Sequence, residues 1–160
     1  MIYVQIAGSL SASQLKDSNQ IDIPLLEGTG QQVLGHNRSE PAADATIVLT
    51  DDTQLRELNL KFLGIDAPTD VLAFPSGETD PDSGSLYLGD VIISYPRAQN
   101  QAASGGHAVI AELQLLVVHG LLHLLGYDHA TPEQKKAMWA AQAEILAQVG
   151  CAIREPVDNE

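Results

Sequence analysis

The spacing of apolar residues along the chain alternates between a period of two, typical of strands, and a period near 3.6, typical of helices. β-Branched residues dominate Ala43–Leu49 and Tyr87–Tyr95, and both segments therefore favour strands. Leu55, Leu58 and Phe62 recur at helical spacing behind two aspartates that can cap a helix. In chain order the pattern predicts a strand Met1–Ile6, a helix Ile21–Leu34, a strand Ala43–Leu49, a helix from Asp51 or Asp52 to about Phe62, a short strand Val71–Phe74, a loop Glu78–Ser85, a strand Tyr87–Tyr95, a short helix from Pro96 toward Ala103, a central helix Ala108–Leu125, and a last helix from Pro132 to Gly150 with Thr131 as its N-cap.

The predicted central helix, Ala108–Leu125, is apolar on almost every side, which indicates that other elements surround it. It is long enough to span a bilayer, but Glu112, Gln114, His119 and His123 would make that position costly. A buried helix inside a globular protein is the better interpretation. The sequence therefore predicts an α+β fold in one domain over residues 1–160, with a small mixed β-sheet packed on helices and the buried central helix carrying the candidate metal ligands.

Composition narrows the classes of function. Eight Lys and Arg stand against 21 Asp and Glu, and the resulting net charge of −13 argues against generic nucleic-acid binding through clustered basic residues. The single cysteine, Cys151, excludes an internal disulfide framework and is typical of a reducing compartment. The first residues lack a basic segment followed by a sustained apolar stretch, so no signal peptide is predicted. We therefore expect a cytoplasmic protein.

The segment His119 to His129, which reads HGLLHLLGYDH, contains the candidate chemistry. His119 and His123 are four residues apart, so on a helix they lie on one face, one turn apart. Gly126 can adopt the backbone conformation that ends a helix and turns the chain back, which lets His129 reach the same point. Three imidazoles without a fourth protein ligand nearby in sequence are typical of a catalytic zinc site with an open position.

The spacing of the three histidines is also that of the metzincin proteases, H-E-x-x-H-x-x-G-x-x-H. Those enzymes use the glutamate as general base, whereas this chain has Gly120, which cannot transfer a proton. Peptide hydrolysis is therefore disfavoured. Two alternatives stay open: the histidines could be hydrogen-bonded core residues without a metal ion, or the zinc could be structural with Asp128 or Cys151 as a fourth ligand, although neither has the usual spacing.

Together with two further motifs, the histidine segment resembles the YbeY family of bacterial endoribonucleases, which act on ribosomal RNA. HGLLHLLGYDH is similar to the family signature. LNLKFLGIDAPTDVLAFP (Leu58–Pro75) is similar to the segment in which an LN pair leads to PTDVLSFP, and LGDVIIS (Leu88–Ser94) to the strand LGDIVIS. The resemblance extends in order from about Leu58 to Leu146, and the N-terminal third is similar only as strand, helix, strand.

The resemblance implies an α+β fold and one zinc ion held by His119, His123 and His129, which are then the catalytic centre. It also implies hydrolysis of single-stranded RNA, maturation of the 3′ end of the small-subunit ribosomal RNA, and ribosome quality control. The expected partners are ribosomal RNA and the small ribosomal subunit, with neither DNA nor a membrane. Leu63 stands where many members have an arginine thought to contact RNA.

The remaining site residues are candidates from their positions. Asp128 precedes a ligand histidine and is either a catalytic residue that orients an imidazole or a turn residue. Arg97, Lys61 and His107 are candidate RNA contacts, and each could instead be an ordinary surface side chain. Metal-assisted phosphodiester hydrolysis is the favoured mechanism, because zinc lowers the pKa of water to about 7 and stabilises phosphoryl charge.

Three interpretations of function remain at this point. The first is a zinc-dependent endoribonuclease. The second is a non-catalytic ribosome assembly factor that zinc stabilises, which Leu63 favours. The third is a metal-dependent hydrolase of another substrate, which Gly120 disfavours where that substrate is a peptide.

Overall fold

Strands and helices alternate through the residues that a computed structural model describes, which are 1–8, 10, 21–37, 43–151 and 153. The predicted strands and helices are confirmed, with the differences in their ends described below. In chain order the elements are β1 (Ile2–Ile6), α1 (Ile23–Asn37), β2 (Ala43–Thr50), α2 (Asp52–Leu63), β3 (Val71–Thr79), β4 (Leu86–Ser94), α3 (Tyr95–Gly105), α4 (Val109–Leu124) and α5 (Pro132–Gln148).

The four strands form one mixed sheet in the order β1-β2-β4-β3. β1, β2 and β4 run parallel, whereas β3 pairs antiparallel with β4. Ile47 in the middle of β2 is fully buried and lies between Val4 of β1 and Val91 of β4. A small mixed sheet with helices packed on it confirms the predicted α+β class.

Helix α4 occupies the centre of the molecule. The twelve residues from Ala111 to Leu122 are all buried, and the helix packs against α1, α3, α5 and strands β3 and β4. This confirms the prediction that the apolar segment is a core helix. In the described part of the chain no single helix is long and apolar enough to cross a membrane; α3 and α4 pass that test only as a pair, bent by 116°.

Strand β3 is longer than the predicted strand Val71–Phe74, and the prediction that a loop begins at Glu78 is wrong. The strand lies at an edge of the sheet and pairs with β4 alone. Pro75, which lacks a backbone N–H, is tolerated there because an edge strand forms backbone hydrogen bonds on one side only. After a register shift that follows Pro75, Glu78 and Thr79 pair with the start of β4. The acidic, turn-rich composition does not reveal this pairing, because it depends on the partner strand.

Gly89 explains the irregular start of β4. Its φ of 140° lies in a region that other residues rarely adopt, and a β-carbon at this position would overlap the carbonyl oxygen of Phe74. The pairing of β4 with β2 skips Leu88 here, which gives a bulge. Glycine in the LGDVIIS motif therefore permits the close approach of β3 and β4.

The helix ends follow the capping residues, with small corrections. Tyr95 begins α3 instead of ending the strand, because the Ser94 hydroxyl accepts the backbone N–H of Arg97 and caps the helix. Thr131 and Gln134 form the predicted capping box of α5. The Asp51 carboxylate caps α2 by accepting the backbone N–H of the residue three positions later.

Helix α1 forms in spite of its glycines and extends to Asn37, three residues beyond the predicted end. Gly30 is buried, and a β-carbon there would lie 2.8 Å from Cγ1 of Ile2. This glycine therefore lets α1 pack closely on β1, whereas Gly28 is exposed and has nothing within 4 Å of its β-carbon position.

Candidate metal centre

His119 and His123 lie one turn apart near the C-terminal end of α4, as their spacing predicts. Their ring centroids are 4.8 Å apart. His119 is 8% exposed because α5 covers it, whereas His123 is half-buried at the edge of a cleft. The core helix therefore holds both rings in a fixed geometry at the boundary between core and solvent.

A turn after α4 brings the third histidine to the first two. Gly126 adopts φ 101°, and the Tyr127 N–H donates to the carbonyl oxygen of Leu122 at 3.0 Å, which closes the turn. The His129 ring then lies 5.8 Å from the ring of His119 and 5.3 Å from that of His123, centroid to centroid. The predicted role of Gly126 is confirmed.

The three histidines form a cluster that could hold a metal ion. One nitrogen from each ring lies within 4.8 Å of the other two. Among the described residues no cysteine or carboxylate joins them in the group, so neither Asp128 nor Cys151 acts as a fourth ligand. Three imidazoles fit zinc in a site that keeps one coordination position open.

Electrostatics favour the neutral, ligating form of His123. Burial, together with repulsion from the neighbouring His119 and His129, lowers the pKa of His123 to about 4. Metal binding requires neutral imidazole, so His123 needs no deprotonation near pH 7 before it binds a cation.

The packing around Gly120 explains why glycine stands where the metzincin proteases have their catalytic glutamate. A β-carbon on Gly120 would lie 2.5 Å from Cγ1 and 3.1 Å from Cγ2 of Val91, at the face where α4 packs on the sheet. Any side chain at this position therefore requires Val91 to move, although Gly120 itself also lines the cleft beside the histidines. The histidine spacing is kept, but packing on the sheet favours glycine at the place of the proteolytic base.

A cleft of about 310 Å³ opens beside His119 and His123. Strand β3 forms one wall from Val71 to Pro75, and Leu63 at the end of α2 contributes to its lining. The cleft is therefore largely apolar around the two imidazoles.

Two residues of α5 complete the cluster, and sequence reasoning missed both. Oε1 of Gln142 lies 2.6 Å from Nδ1 of His119, and Gln142 is fully buried. The Trp139 ring lies 5.9 Å from that of His119 and 5.8 Å from that of His129. One feature of the sequence could have pointed to Gln142: it is a polar residue four positions after Met138, on the otherwise apolar stripe of α5.

Asp128 occupies the turn before His129. Its carboxylate accepts the backbone N–H of His129 at 2.7 Å, so it fixes the backbone that carries this ring. That geometry is the one expected of a turn residue.

The three candidate RNA contacts lie in different surroundings. Arg97 donates to the Asp52 carboxylate through Nε and Nη2, at 3.1 and 3.0 Å, and this guanidinium holds the pKa of Asp52 below its usual value. His107 is mostly buried and lies 2.6 Å from the carboxylate of Glu112. Lys61 is exposed, and its Nζ lies 5.2 Å from the centroid of the Phe62 ring. Of these, only Lys61 is close in sequence to a residue that lines the cleft.

Comparison with known proteins identifies relatives over most of the chain. A family model described as "Endoribonuclease YbeY" matches residues 13–150. A protein named Endoribonuclease YbeY from Nocardia farcinica is 37% identical, and the match covers 89% of this chain and 82% of that relative. A protein of the same name from Moorella thermoacetica is 48% identical, and the match covers 68% of this chain and 74% of that relative. The solution structure of TM1509 from Thermotoga maritima is similar in fold, with TM-score 0.54 and 23% identity over 99% of this chain and 98% of that one.

Proposed function

This chain belongs to the YbeY endoribonuclease family, and on that premise we propose that it is a zinc-dependent endoribonuclease of single-stranded RNA. The observation that carries the proposal is the convergence of His119, His123 and His129 beside an open cleft. The proposed substrate is ribosomal RNA of the small subunit, near its 3′ end, and the proposed location is the cytoplasm.

The proposed mechanism assigns distinct tasks to the residues of the site. His119, His123 and His129 would hold the zinc ion, which supplies a positive charge for the phosphoryl oxygens and lowers the pKa of a water molecule to about 7. The apolar wall of β3 lines the cleft beside His119 and His123. Asp128 would act indirectly, as a positioning residue that fixes the backbone carrying His129.

No carboxylate replaces the missing base of the protease pattern among the residues that line the described cleft. A bound zinc ion would supply the acidity that a strong general base otherwise provides, so phosphodiester hydrolysis is compatible with Gly120.

The RNA contact is proposed to include two lysines that lie against aromatic rings near the site. Lys61 lies over Phe62 beside the cleft residue Leu63, and Nζ of Lys135 lies 5.5 Å from the centroid of Trp139, which contacts the histidine rings. Aromatic rings and cations together suit single-stranded RNA, whose unstacked bases stack on such rings. Arg97 and His107 are less suited to this role, because both are engaged by carboxylates.

Replacing Lys61 or Lys135 by alanine is expected to weaken binding to single-stranded RNA and to reduce its salt dependence. Each lost phosphate contact lowers the slope of log K against log salt by about 0.7 for a single strand. Fluorescence anisotropy of a labelled oligonucleotide at several salt concentrations measures this slope. Lys136→Ala is the matched control on the exposed surface of α5, and an equal loss of slope in all three variants would exclude a specific contact.

An assay with single-stranded and duplex RNA of the same sequence tests the proposed activity. We expect the zinc-loaded protein to cleave the single strand, chelator to stop cleavage, and added zinc to restore it. A protein that binds zinc and RNA but leaves every phosphodiester intact would instead be a non-catalytic assembly factor. Leu63 in place of the family arginine favours that second candidate.

A further inference from the structure

Gln142 on α5 is a buried polar residue that contacts one of the three clustered histidines. The side chain is fully buried, and its Oε1 lies 2.6 Å from Nδ1 of His119. Its Nε2 has no hydrogen-bond partner among the described residues. Buried polar atoms are nearly always hydrogen-bonded. The unpaired Nε2 therefore indicates that the contact between Oε1 and His119 determines which way the amide faces.

The constraint follows from the chemistry of the neutral imidazole. One ring nitrogen carries a proton, and the other has the lone pair that can bind a metal ion. Because Oε1 of Gln142 can only accept, Nδ1 of His119 must donate to it. The lone pair is then at Nε2, the nitrogen left for the cluster with His123 and His129.

The opposite amide orientation would remove this arrangement. If Nε2 of Gln142 faced the ring, Nδ1 would have to accept, and the proton would move to the nitrogen that must bind the metal ion. The observed orientation keeps His119 in the ligating tautomer and leaves the amide nitrogen unpaired.

We propose that Gln142 is a positioning residue of the metal centre, whose carbonyl fixes the tautomer and the ring orientation of His119. This inference rests on the proposed function, because it requires the histidine cluster to bind a metal ion. Partners of this kind are common for ligand histidines, and their loss typically weakens metal binding about 10–100-fold.

The test compares zinc affinity in Gln142→Met, Gln142→Asn and Gln142→Glu, measured by competition with a chelator. Methionine has no acceptor and the asparagine carbonyl is one methylene too short, so both are expected to bind zinc about 10–100-fold more weakly than the wild type. Glutamate keeps an acceptor at the same distance and is expected to restore most of the affinity. Gln114→Met is the matched control, because Gln114 is a buried glutamine of α4 that bonds to Thr29.

A second readout separates positioning from simple structural support. Proton–nitrogen spectra of the imidazole rings in the zinc-free protein should show the proton of His119 on Nδ1 in the wild type and on Nε2 in part of the Gln142→Met population. Equal zinc affinity in the wild type and the methionine and asparagine variants would overturn the positioning role and leave the metal centre intact. Absence of zinc binding in the wild type would overturn the metal centre and, with it, the role of Gln142.

Discussion

Replacement of His123 by alanine is expected to abolish zinc binding and RNA cleavage together. His123 supplies one of three clustered nitrogens and lines the cleft beside them. Loss of a residue that only orients a ligand already weakens metal binding about 10–100-fold, so loss of a ligand is expected to cost more than about 100-fold. Burial keeps the pKa of His123 low, and this ring is therefore available as a neutral ligand near pH 7.

Metal content after reconstitution and the rate of RNA cleavage measure this effect in the same preparation. His36→Ala is the control, because His36 lies in the last turn of α1, outside the cluster. Circular dichroism checks that both variants fold. Cleavage at the wild-type rate by a folded, metal-free His123→Ala protein would show that the activity comes from another site or from a contaminant.

A side chain at position 120 is expected to destabilise the fold. The β-carbon of Gly120→Ala would overlap Cγ1 of Val91 at 2.5 Å and lie 3.1 Å from its Cγ2, and overpacking of this kind costs about 1–3 kcal/mol. Gly120→Glu, which restores the protease pattern, adds an unpaired carboxylate at the same interface and is expected to prevent folding and not to create a peptidase. Thermal unfolding of the metal-free protein measures both variants.

Two comparisons make the test of Gly120 specific. Gly28→Ala changes an exposed helical glycine with open space around it and should stabilise the protein by about 0.5–1 kcal/mol. In a Val91→Ala background, Gly120→Ala should cost much less, because the two clashing carbons are gone. If Gly120→Ala lowered the free energy of unfolding as much in the Val91→Ala background as in the wild type, the destabilisation would have another cause.

The histidine cluster was predictable from the sequence because local rules determine it. Helical periodicity places His119 and His123 on one face, and the turn at Gly126 brings in His129. Both rules act within eleven residues and need no knowledge of the remaining fold. Gly120 was correctly interpreted as the absence of a base, but the packing on Val91 that requires glycine became visible only in the structure.

The surroundings of the cluster were not predictable because they depend on long-range packing. Gln142 and His119 are 23 residues apart in the sequence. The position of Gln142 on the apolar stripe of α5 indicates that it faces the core, but does not reveal that it contacts a histidine on α4. The extension of β3 to Thr79 depends on pairing with β4. The ion pair between Arg97 and Asp52 also joins residues 45 positions apart in the sequence and could not be predicted from local rules.

Titration of zinc into the metal-free protein, with single-stranded RNA cleavage followed at each step, tests the central claim most directly. The proposed site predicts that the cleavage rate rises in proportion to added zinc and reaches its maximum at one equivalent per chain. Trp139 is the only tryptophan of the chain and lies against two of the histidine rings, so its fluorescence should change and saturate at the same point. Full cleavage without zinc, or a zinc-saturated protein that leaves the RNA intact, would contradict the account.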